Sequence, residues 1–303
     1  MISAVRLEDY ASLALRPFLR KTVAKKRVNQ DFFASLCDAR YMTSKDVKRA
    51  LPNEIRSIYV RSDLLDDRFI EALPESVKVV VSGNSDRDFV KPLNFPSSVE
   101  RVYLQNLCHK SKRAHLLPIG IENLGLAKAG LPHLYINRAK PKFRKILVGP
   151  FGMTHPERKE LLELVTEDIS NVMAIHKRIT AWEYSRLSQQ YEFIACPRGN
   201  GIDTHRFWES LYRGSVPVVK RSIWTEMIEE LGLPIVQLDS WEEIHQLDLE
   251  GEFSKHLDNP RQALSPDYWR SVIGLQGDFL RFFHRLSGSG SPACSNRMSG
   301  RAS

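Results

Sequence analysis

Short runs of β-branched and aromatic residues alternate with helix-length segments along most of the chain. Ile58-Tyr59-Val60, Val77 to Val81 and Val102-Tyr103-Leu104 predict strands, and Asp63 to Leu73 predicts a helix between the first two. A second series follows. Strands at Ile146 to Val148, Val172 to Ile175, Phe193 to Ala195, Val216 to Val219 and Ile235-Val236 are separated by helices at Pro156 to Val165, Trp182 to Gln189, Thr204 to Arg213 and Trp224 to Leu231, with Thr154 near the cap of the first. Alternation at this spacing predicts βαβ units, parallel sheets and an α/β protein. Asn137 to Arg144, basic and aperiodic, reads as a linker. The expected organisation is a basic helical extension over 1–50, a first α/β domain over 51–140, a second over 141–250, closing helices over 251–286 and a Ser/Gly-rich tail over 287–303.

The 303 residues are 42% hydrophobic and 26% charged, which excludes a fibrous chain or one disordered throughout. A net charge of +8 at first suggests nucleic acid, an anionic membrane or a phosphorylated ligand. Its distribution narrows that choice: residues 1–50 hold 11 Lys and Arg against 5 Asp and Glu, the tail after Leu286 adds two Arg, and the middle is balanced. Leu13, Leu15, Phe18 and Leu19 precede Arg20-Lys21 and Lys25-Lys26-Arg27, so this segment reads first as a solvated helix face, with contact of residues 16–27 to an anionic membrane surface as the sharper alternative. Nucleic acid is not expected as a partner, because no aromatic stacking platforms interleave with these cations. Cys37, Cys108, Cys196 and Cys294 form no CxxC pair, and neither an 18-residue apolar run nor a signal-peptide order is present. The expected location is cytoplasmic, at most peripheral to a membrane.

The chemistry concentrates between Cys196 and Val219. Gly199 and Gly201 flank Asn200 and allow close approach of a ligand, while Asp203 or Thr204 caps the following helix, whose N-terminus favours a phosphate. Arg198 and Arg206 are placed to clamp a diphosphate. At helical spacing His205, Arg206 and Glu209 share one face and Phe207, Trp208 and Leu211 another, with Gly214 at the C-terminal cap. Glu209 is a candidate acceptor for ribose hydroxyls. The plain alternative is a capped helix carrying an Arg206–Glu209 surface pair. Neither a Walker loop nor the three-glycine dinucleotide fingerprint is present. Asp86-Arg87-Asp88 spells a D-x-D metal pattern far from this segment, and no zinc spacing occurs, so no metal site is expected.

The segment Phe193 to Val219 resembles the nucleotide-sugar-binding signature of exostosin-like glycosyltransferases, with Cys196 where that signature has serine. Gly152 to Arg158, Gln105-Asn106 and Leu117 to Asn123 resemble weaker family patterns. The resemblance implies a GT-B-like architecture of two Rossmann-like domains with the active site in the cleft between them. It also implies an inverting, metal-independent glycosyltransferase that needs no cofactor beyond its nucleotide diphosphate sugar donor, a UDP-sugar first, and that acts on a saccharide or glycolipid acceptor. Under it the donor-binding residues are Gly152, Thr154, Arg198, Gly199, Asn200, Gly201, Asp203, His205, Arg206 and Glu209. Inversion needs a base, for which Asp86 at the carboxyl end of a strand is the first candidate, then Glu122, then His109; for Asp86 a turn residue bonding its own backbone is the alternative. A non-catalytic nucleotide-binding protein of the same fold is the rival reading, and a nucleic-acid-binding protein acting through the basic N-terminus is a second.

Overall fold

The computed structural model describes residues 27–47, 51–123, 142–165, 170–256 and 258–274. The apolar-basic segment before Arg27, most of the expected linker and everything after Gly274 lie outside the described residues.

Two five-stranded parallel sheets form the frame. The first contains β1 (Ala39–Tyr41), β2 (Ser57–Arg61), β3 (Val79–Gly83), β4 (Arg101–Leu104) and β5 (Ala114–Leu116) in simple sequential order. The second contains β6 (Phe143–Val148), β7 (Val172–Ala174), β8 (Tyr191–Ala195), β9 (Val216–Lys220) and β10 (Val236–Leu238), in the order β10-β9-β8-β6-β7. The chain is therefore an α/β protein of two parallel-sheet halves, as the alternation predicts.

In the second sheet the chain leaves β6 toward β7 at one edge and leaves β8 toward β9 on the other side. The neighbouring strands β6 and β8 thus form a topological switch point, and their carboxyl ends open a crevice. The helices that follow them are α4 (Pro156–Leu164) and α6 (His205–Tyr212). Ile146, Val148, Phe193 and Ala195 pack on one face of this sheet, while Leu147 and Ile194 join the core shared with the first half. Both faces are covered, which explains why these strands read as continuous apolar runs.

Several expectations shift by local chemistry. The strand expected at Val77 begins at Val79, because the Val77 amide closes a turn onto the Pro74 carbonyl at 3.0 Å. The helix expected over Asp63 to Leu73 splits into a 3₁₀ turn at Ser62–Leu64 and α3 (Asp67–Glu71), which Asp66 caps. Residues 1–50 are not wholly a helical extension: α1 (Gln30–Ser35), capped by the Asn29 side chain, and the edge strand β1 belong to the first sheet's half, before the short α2 (Ser44–Val47). The cap of α4 is His155, next to Thr154 as expected. Gly214, with φ +75°, closes α6 as expected, since the Gly214 amide reaches Leu211 O at 3.0 Å and the Ser215 amide reaches Ser210 O at 2.9 Å.

Beyond β8 the frame includes α5 (Ala181–Ser188) before it and α7 (Ile223–Glu230) and α8 (Leu249–His256) after it. The closing helix, α9 (Pro266–Ile273), docks back on the first half. Its Trp269 stands edge-on to Phe33 of α1 at 5.5 Å, and its Val272 carbonyl accepts from Tyr103 Oη and Arg101 Nη1, both at 2.9 Å. One apolar core therefore runs through both halves. Trp269→Ala is expected to lower the unfolding free energy by about 3–5 kcal/mol, read from urea denaturation, because it empties a fully buried indole site at this junction.

Candidate functional site

The carboxyl ends of the first sheet's strands meet the loop between β8 and α6 face to face. Five residues of this loop and the start of α6 are fixed one by one from the first half. Asn200 Nδ2 donates to Asp86 Oδ2 at 3.1 Å, the Ile202 amide to Asp88 Oδ1 at 3.1 Å and the Asp203 amide to Asn106 Oδ1 at 2.9 Å. Arg198 Nη2 pairs with Asp88 Oδ2 at 2.6 Å. His205 Nδ1 contacts Gly120 O at 2.8 Å.

Asp203 is 4% exposed, and both its oxygens are occupied at 2.6 Å, Oδ1 by the Trp208 indole N–H and Oδ2 by the Ile119 amide. It therefore stitches the halves together and is not offered to a donor, which corrects the binding role expected for it; nor does it cap α6, whose cap residue Thr204 makes no side-chain bond. Burial pushes the Asp203 carboxyl up to about 8, against the pull of its N–H donors.

Both glycines also lie close to protein side chains. A Cβ on Gly201 would lie 2.7 Å from Asn106 Nδ2, and one on Gly199 would lie 2.9 Å from Arg158 Nη2. Arg158 is a site residue that helix patterning conceals, because it sits in the first turn of α4 like any surface cation. Its Nε donates to Arg198 O and its Nη1 to Gly152 O, both at 2.8 Å. Burial, then the neighbouring Arg206 charge, lowers its pKa from the usual guanidinium value. Glu157 lies beside it and accepts from the Arg198 amide at 3.3 Å and the Trp241 indole at 3.1 Å.

Arg206 lies between the Phe151 and Tyr184 rings, 4.7 and 4.6 Å from their centroids, and donates to Gly149 O at 3.1 Å and Pro150 O at 2.6 Å. It organises the loop after β6, in addition to bringing charge to the crevice. Among the described residues neither Arg158 nor Arg206 forms an ion pair. Gly152 and Thr154 are exposed on that same loop, and a Cβ at Gly199 would come within 3.5 Å of Thr154 Oγ1, so the loops after β6 and β8 touch.

Glu209 is 7% exposed and paired with Arg213, 2% exposed, at 3.4 Å. The face of α6 expected to be polar and open is thus largely covered. Burial drives the Cys196 thiol up to about 12, so it packs as an apolar group. Asp86 is exposed on the opposite lip, and Asn84 and Asn106, with φ of 58° and 55°, hold the turns after β3 and β4 in the left-handed region. Glu122 is half-buried beside Asn123, whose Nδ2 reaches Asn84 Oδ1 at 3.2 Å. His109 is buried against Phe89 O at 3.0 Å and does not face the crevice lip as a free base. No group of three or more His, Cys, Asp or Glu side chains suited to a metal occurs among the described residues.

A cavity of about 800 Å³ lies elsewhere, lined by Tyr103, His115, Met227, Leu231, Tyr268 and Trp269 among others, between β4 and β5 on one side and α7 and α9 on the other. It lacks the convergent guanidinium groups of the switch-point crevice.

The geometry can hold an anion between two helix N-termini and present a carboxylate across from it. A pH effect follows from Asp203. Its folded pKa of about 8 exceeds the ordinary aspartate value of 3.8, so between those limits the unfolded chain releases a proton that the folded chain keeps. Stability contributed by this group is full below pH 4, falls as pH rises and is lost above about 8. Thermal melts between pH 5 and 8 are expected to decline less steeply for Asp203→Asn than for the wild type, although the variant melts lower throughout because its amide N–H₂ faces a donor.

No protein-family model matches the sequence.

Proposed function

We propose that the protein is a GT-B-like glycosyltransferase that uses a nucleotide diphosphate sugar, a UDP-sugar first, and transfers its sugar to a saccharide or glycolipid hydroxyl with inversion. The observation that carries this reading is the convergence of Arg158, Arg198 and Arg206 on the switch-point crevice between β6 and β8, where the N-termini of α4 and α6 both point. The resemblance at Phe193 to Val219 adds the donor class.

In this reading the acceptor oxygen attacks the anomeric carbon, the bond from that carbon to the diphosphate oxygen breaks, and Asp86 takes the acceptor's proton. Negative charge builds on the departing diphosphate. Fixed guanidinium groups and helix amides stabilise that charge more in the transition state than in the ground state, and they reorganise little because carbonyls and rings already hold them. Asp86 suits the base role by its exposure and by its place at the carboxyl end of β3.

UDP titrated by calorimetry is expected to bind Arg198→Ala about ten- to 100-fold more weakly than the wild type. Equal binding would sink the donor site. Asp86→Asn is expected to keep UDP affinity and lose donor-sugar turnover; unchanged turnover would remove Asp86 from the base role and leave the donor site standing.

A further inference from the structure

We infer that the Asp88 carboxylate stands in for an anionic group of the ligand, so that a phosphate-bearing ligand enters by displacing Asp88 from Arg198 and from the Ile202 amide. This rests on the donor-site reading above. It adds the exact subsite and the residue against which a ligand must compete.

Asp88 reaches across from the first half and places one oxygen 2.6 Å from the Arg198 guanidinium and the other 3.1 Å from a backbone N–H of the same loop. One guanidinium and one main-chain amide converging on a pair of anionic oxygens is the donor set a phosphate group uses. The pair is 27% and 20% exposed at its side chains, so water and solutes reach it and the attraction is screened.

The contact is also dispensable for joining the halves. Asp203 with Ile119 and Trp208, Asn106 with Asp203, and His205 with Gly120 hold the same loop from deeper positions. The turn that carries Asp88 is pinned on both sides. Arg87 Nη1 donates to Ser62 O and Leu65 O at 3.1 and 2.7 Å, and the Phe89 amide to Asn106 O at 2.9 Å. Release of Asp88 is therefore a side-chain rotation that leaves the backbone in place. A diphosphate carries more negative charge than one carboxylate and extends toward Arg158 and Arg206, which Asp88 does not pair with, so it gains attractions that the surrogate lacks.

The test is calorimetric titration of the full chain with inorganic pyrophosphate at low ionic strength. Asp88→Asn keeps an oxygen for the Ile202 amide but turns away from Arg198, and Asp88→Ala frees both; each is expected to bind pyrophosphate about fivefold more tightly than the wild type, the equivalent of roughly 1 kcal/mol. Melting temperatures verify that both variants fold. If the wild type binds and Arg198→Ala does not, yet neither Asp88 variant gains affinity, the surrogate role is overturned and the donor site stands. If Arg198→Ala binds as the wild type does, or nothing binds, the donor-site reading fails and this inference falls with it.

Discussion

Asp203 joins three parts of the molecule through its carboxyl group and its own backbone amide. Its Oδ1 holds the Trp208 indole inside α6, its Oδ2 holds the Ile119 amide of the first half, and its own amide rests on Asn106. The way the crevice closes between the two halves depends on that anchorage. With Asp203 fixed, the N-terminus of α6 has one orientation relative to the first sheet, and the preceding loop must cross the carboxyl ends of β3 and β4 at contact distance. A Cβ on Gly201 would then press on the Asn106 side chain, which would have to shift. A buried carboxyl without these donors would be strongly unfavourable; with them it specifies a single docking of the two halves, which an apolar contact of the same area would not.

The crevice manages its cations in two ways. Arg198 has a carboxylate partner in reach of solvent, whereas Arg158 and Arg206 are held by main-chain carbonyls and, for Arg206, by two aromatic faces. Carbonyl dipoles fix a guanidinium without cancelling its charge, so those two arginines keep their attraction for an arriving anion. Deeper in, the Glu209–Arg213 pair neutralises itself in the interior of α6. The gradient runs from a neutralised pair inside, through positioned charges, to an exchangeable pair at the lip.

Much of the frame is legible in the sequence because parallel strands buried on both faces leave apolar runs, and eight of them stand where the alternation predicts to within three residues. The two strands that escape detection, Ala39–Tyr41 and Ala114–Leu116, are three-residue edge strands with a polar or charged centre, too short for either periodicity to register. The site is half legible. Local glycine and arginine spacing marks Arg198 and Arg206, but the roles of Gly201 and Asp203 depend on Asn106 and Ile119, about a hundred residues upstream in the chain. Spacing within a motif carries no information about what fills the space beside it. Arg158 falls in the Gly152 to Arg158 pattern and Asp88 in Asp86-Arg87-Asp88, but their contacts are hidden for the same reason: an acidic residue in a turn and a cation in a helix's first turn are ordinary until the two halves meet.

The turns on the first half show how rigidity is achieved at a place where nothing regular continues. Asn84 and Asn106 both adopt positive φ at the ends of β3 and β4, a conformation that costs free energy for any residue with a side chain. Each offsets that cost with its own amide: Asn106 donates to Ser85 O and accepts from the Asp203 amide, and Asn84 accepts from Asn123. Gln105, fully buried between them, donates to Ser85 O and accepts from the Asn84 amide. The strained turns are thus tied to one another and to the second half, which leaves Asp86 and Asp88 on a turn whose backbone is fixed, the Asp86 side chain exposed and that of Asp88 partly covered against Arg198. A loop made stiff in this way can aim two carboxylates across a crevice without any helix or strand beneath them.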